Sequence, residues 1–138
     1  MFTPPVQLPW NPPAGTVIRV NTGGYRHVGL LGDRFMNGER SVLSFSAEAK
    51  GFVEEPFSVF SGGRPVVCDG YLGELPSWVV MQRARERADQ PYSLFNFNCE
   101  HFVRYAHGVP MESPQLQQVG AVLGLLGLAF LVFRGARA

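Results

Sequence analysis

The chain has 138 residues, enough for one domain with a modest core and little besides. At 46% hydrophobic and 17% charged it has an ordinary globular composition, and a formal net charge of +1 gives no electrostatic footing for nucleic acid. Two cysteines are too few for a disulfide scaffold and lack metal-ligand spacing, so no metal and no cofactor is expected.

The start, MFTPPVQLPWNPP, has neither a basic nor an apolar leader region. No secretory signal is expected, and the folded part is assigned to the cytosol. Residues 1–13 are Pro-rich and predict an extended, poorly ordered arm. TVIRV (16–20) predicts a strand, NTGG a turn, and YRHVGLL (25–31) a second strand. Asn37-Gly38 is the strongest hairpin signal, so RSVLSFS (40–46) should pair back on its predecessor. KGFVEEPFSVFSGG, with Pro56 and paired glycines, predicts a loop, and RPVVC (64–68) a further strand that makes Cys68 a small core residue. PSWVVMQRARERADQ (76–90) predicts a helix that buries its first half through Trp78, Val79, Met81 and Gln82, ahead of an Arg-rich end.

The last helix is the most sharply punctuated. Asn98 suits the N-cap, so the helix runs from Cys99 to His107 and stops at Gly108. Phe97 before the cap and Phe102 inside predict a hydrophobic staple. The order of strands followed by helices argues for an α+β fold with an antiparallel sheet, one domain over residues 14–112.

Beyond it, no Asp, Glu, Lys or Arg occurs from Ser113 to Phe133, and residues 119–133 are apolar without a break. Those 15 residues span about 22 Å as a helix, against roughly 30 Å of hydrocarbon. Residues 113–138 are read as a membrane segment, either spanning or lying in the interface, with a core or self-association helix as the alternative. Gly120 and Gly124 form a GxxxG pair suited to close helix packing, hence to self-association.

A thiol at the first helical position feels the positive end of the macrodipole, which favours thiolate, so Cys99 is the candidate nucleophile. Glu100 beside it opposes ionisation. Of three histidines, His101 lies two residues along the same helix, about 200° round it, and cannot face Cys99. His107 near the helix end suits a capping role. His27, in a predicted strand beside the small Gly29, is the candidate base, with a satisfied structural histidine as the bland alternative. No phosphate loop, zinc spacing or carboxylate dyad appears.

With these residues in place, the chain resembles the lecithin:retinol acyltransferase family, most nearly its H-Ras-like suppressor branch of phospholipase A and acyltransferase enzymes. PAGTVIRVNTGGYRHVGLLGD resembles the strand pair carrying the base, VVMQRARERADQPYSLFNFNCEHFVRY the helix and NCEHF motif, and ESPQLQQVGAVLGLLGLAFLVF the hydrophobic anchor. The resemblance implies a circularly permuted papain-like fold with a C-terminal hydrophobic helix. It implies a phospholipid membrane as partner and a Cys99 thioester passed to an acyl acceptor, namely water, a lysophospholipid or an amine, with His27 as general base. Tyr25 and Arg26 would flank the site, and the Cys99 N–H would stabilise an oxyanion. The family carries a second histidine on the next strand, and here Ser44 stands in its place. A hydroxyl is a weaker, uncharged orienter of the base, so slower turnover is expected. Two alternatives stay open: a papain-like peptidase or amidase, and a non-catalytic membrane-binding or remodelling module.

Overall fold

Asn37 and Gly38, with φ of 54° and 79°, close the tight turn expected of them and set the register of the sheet. In the computed structural model, which describes residues 11–111, this turn joins β2 (Arg26–Met36) to β3 (Glu39–Ser46). β1 (Val17–Asn21) lies on the other side of β2, and all the strand pairs are antiparallel. Adding β4 (Gly51–Pro56) and β5 (Val66–Gly70) gives a five-stranded sheet of order β4-β3-β2-β1-β5. Two helices, α2 (Ser77–Arg85) and α3 (Cys99–His107), complete the α+β architecture with a short α1 (Phe57–Ser61). The expected apolar segment lies outside the described residues. Among the described residues no helix is long and apolar enough to cross a membrane.

Alternation along β2 sorts the core into two layers. Val28 and Leu30 join Leu43, Phe45, Phe102 and Val103 on the face covered by α2 and α3. Leu31 joins Ile18, Val20, Val42, Phe57 and Phe60 on the opposite face, beneath α1.

Four expectations change. The stretch expected as a loop forms β4 and α1 instead. Glu54 and Glu55 weaken its strand signal, but pairing with β3 and the burial of Phe57 and Phe60 override local propensity. α2 ends at Arg85, and Trp78 is 69% exposed, because the buried stripe is Val80, Met81 and Ala84. The Arg-rich end is not idle: Arg83 and Arg87 lie 4.4 and 3.9 Å from the Tyr105 ring centre. Arg85 bridges Asp33 at 2.6 Å and Glu54 at 3.1 Å. Cys68 is half-buried on the edge strand β5 rather than in the core. His107 does not cap its own helix. Its Nε2–H donates to the Gly15 carbonyl at 2.7 Å and its Nδ1 accepts from the Gly73 N–H at 3.2 Å, which pins the end of α3 to two loops. At the other end of the chain, Arg40 holds Asn11 and the Pro12 carbonyl, each at 2.9 Å.

Candidate active site

The cap of α3 places the nucleophile. Asn98 Oδ1 accepts from the N–H groups of Glu100 and His101 at 3.0 and 3.1 Å, and its Nδ2–H donates to the Leu94 carbonyl at 2.8 Å. His101 closes a capping box by accepting from the Asn98 N–H at 3.2 Å, in the role that Glu or Gln usually takes. The expected staple operates through a third ring, since Phe97 and Phe102 both pack on Phe45, with ring centres 4.9 and 5.5 Å away.

This anchoring drives Cys99 into a gap in the sheet. The β2–β3 ladder ends at Gly29↔Ser44, while β3 continues with β4 to Ser46↔Gly51. Because Leu31 bonds toward the β1 side, the even-numbered residues of β2 offer their backbone groups toward β3. At Arg26 and Val28 that side is taken by the thiol: Sγ lies 3.8 Å from the Arg26 carbonyl and is met by the Val28 N–H. The sulfur therefore sits alongside the β2 backbone, flanking His27 on both chain neighbours.

Cys99 is only 3% exposed. Burial pushes its thiol up, the Val28 N–H pulls it down, the Glu100 carboxylate pushes it up again, and the N–H groups of Glu100 and Cys99 pull down. The helix end thus acts in the expected direction, but burial outweighs it and the resting group is a thiol. Arg26 lies 3.8 Å from the buried Glu100. Asn98 takes two of the first-turn donors, and the N–H of Cys99 itself is the next one.

His27 projects toward α1 rather than straight at the start of α3. Its ring lies 5.0 Å from that of Phe60 at 31°, and 6.2 Å from that of Tyr25, edge-on. Burial holds the imidazole below its ordinary range, so it is neutral at pH 7 and able to accept a proton. Among the described residues no hydrogen bond joins His27 to Cys99; the thiol meets the strand that carries His27 at the Arg26 carbonyl. Such contacts often form only with substrate bound. His27 opens onto a cleft of about 660 Å³ with Tyr25, Phe60, Glu48, Glu55 and Arg64, and Cys99 lies beyond it across β2. Burial, the nearby Cys99 and Glu48 push the half-exposed Tyr25 phenol up, while Arg64 opposes them.

Ser44 lies on the same face of the sheet as His27, opposite Gly29, and is fully buried. Its Oγ has no hydrogen-bond partner among the described residues, so it does not orient the imidazole here. Phe60 is the contact that sequence reasoning missed. The paired glycines and Pro56 around it hid a helix, and the one available signal was the apolar spacing of Phe57 and Phe60.

A family profile described as lecithin retinol acyltransferase matches residues 11–108, which contain both His27 and the Asn98-Cys99-Glu100-His101-Phe102 motif. The chain belongs to the lecithin retinol acyltransferase family. Within that family it is similar to human Phospholipase A and acyltransferase 2, with 32% identity over 143 aligned residues covering 88% of each chain.

Proposed function

We propose that the protein is a membrane-associated thiol phospholipase A and acyltransferase acting on glycerophospholipids. The observation that carries this reading is the Cys99 sulfur seated at the capped start of α3 against the backbone on either side of His27. The family membership and the activity in the relative's name support it.

In the first half-reaction His27 takes the thiol proton as Sγ attacks an acyl ester carbonyl. The carbon–oxygen bond to glycerol breaks, and the departing alkoxide takes the proton from His27. The acyl group is left as a thioester on Cys99. In the second half an acceptor, either water or an amine or hydroxyl, gives its proton to His27 and attacks the thioester, which restores the thiol. The N–H of Cys99 would stabilise the oxyanion in both steps. No cofactor enters this scheme. The uncharged residues 113–133 would hold the domain at the bilayer.

The test is intact-protein mass spectrometry after incubation with phosphatidylcholine vesicles. The expected result is a hydroxylamine-labile adduct of one fatty-acyl mass, absent from Cys99→Ala. Persistence of the adduct in that variant would remove Cys99 as the nucleophile. A chain that binds vesicles but never acquires an adduct would overturn the lipid-ester reading.

A further inference from the structure

A base must be held at a fixed angle to serve two proton transfers, and an imidazole is normally held by a hydrogen bond from its second nitrogen. Among the described residues no such hydrogen bond holds His27. Ser44 pairs with Gly29 on the neighbouring strand and lies on the right face, yet among the described residues its buried hydroxyl has no hydrogen-bond partner. What touches the ring is aromatic, with Phe60 against its face and Tyr25 at its edge. Phe60 is 6% exposed, so its own position is fixed by packing, whereas Tyr25 is 48% exposed. Gly29 makes the contact sterically feasible. A Cβ at that position would stand 3.0 Å from the Phe60 ring and 2.9 Å from Val42, so the ring of Phe60 passes over a residue with no side chain.

The geometry points to Phe60 as the positioning residue for His27, orienting the imidazole with a ring face where a polar partner on the neighbouring strand is lacking. α1, the five-residue helix that carries it, then belongs to the active site and is not a mere connection. An apolar face also keeps water from that side of the imidazole and so favours its neutral form. The charged groups lining this cleft are Glu48, Glu55 of β4 and Arg64, with the Tyr25 phenol just ahead of β2, while Cys99 lies across β2 at the start of α3.

This inference rests on His27 as the base, so its test has one arm that needs no turnover. In the full-length chain, the His27 ring protons are followed by NMR against pH in the natural protein and in Phe60→Leu, Phe60→Met and Phe60→Tyr. Leu and Met keep an apolar side chain but no ring face; Tyr restores the ring. The expected result is a His27 midpoint that rises toward the ordinary histidine value in Leu and Met, and stays low in Tyr. In the kinetic arm, with phosphatidylcholine vesicles, Leu and Met should lower kcat about tenfold with KM little changed. Their acid limb should move to higher pH, and Tyr should recover both. An unchanged His27 midpoint in a folded Leu or Met variant overturns the inference whether or not the enzyme turns over. A shifted midpoint in a chain that never forms the acyl adduct would sustain the positioning contact and overturn the catalytic reading alone.

Discussion

Around the Cys99 sulfur, burial and the Glu100 carboxylate oppose ionisation while three backbone N–H groups favour it, and burial wins. The thiolate-favouring effect expected of the helix start is thereby overridden in the lipid-free protein. Cys68 is half-buried on an edge strand, whereas Cys99 is closed in. Iodoacetamide at neutral pH, followed by peptide mapping, should therefore modify Cys68 first. Labelling of Cys99 should lag and climb steeply toward alkaline pH, because the thiolate is the reacting form. Faster labelling of Cys99 at pH 6 would show that the thiol is more open and more acidic than this packing allows. The placing of Cys99 at the first position of α3 was legible because Asn98 and Gly108 are local punctuation. Its acidity was not, because the core it is buried in includes Val28 and Phe45, which are distant in sequence.

The same contrast recurs among the elements. α3 begins and ends where its cap residues say it should, since an Asn side chain and a left-handed Gly act within one turn of themselves. β4 and α1 were illegible because their stability comes from β3 and from two buried Phe side chains, not from their own propensities. The cap of α3 offers a measurable consequence. Asn98→Ala removes the acceptor of two N–H groups and the donor to Leu94, and should cost about 1–2 kcal/mol. For a domain of this size each kcal/mol corresponds to a Tm fall of roughly 4–8 °C. Asn98→Asp can still accept both N–H bonds, so most of the stability should survive. It also brings a second carboxylate next to Cys99, and the thiol should titrate higher than in the natural chain; calorimetry and pH-dependent alkylation separate the two effects.

For the molecule as a whole, His27, His101 and His107 all have their pKa lowered from the ordinary 6.5, and burial is the leading cause in each. An unfolded chain therefore binds more protons than the folded one once the pH drops below about 6.5, and stability falls from there down through the lowered values. Asp33 is lowered by its Arg85 hydrogen bond, so its contribution is lost only below its ordinary 3.8. The loss that sets in below pH 6.5 thus comes from the histidines, opposed by Glu55, whose carboxyl burial pushes above its ordinary 4.5. The Tm should be lower at pH 5 than at pH 7.5, and His107→Gln should narrow that difference. A Gln amide can still donate to Gly15 and accept from Gly73 without titrating; an unchanged difference would exclude His107 as a contributor. The position of the sulfur has one more consequence at this scale. Where β3 parts from β2, the thiol stands as the missing rung of the ladder, bound to one carbonyl and one amide of the strand it borders. In the reaction proposed for it, the thiol would leave that place to attack and return to it at the end of a cycle. Each turnover would then break and remake the sulfur's two bonds to β2, so the border of the gap would take part in the proposed reaction.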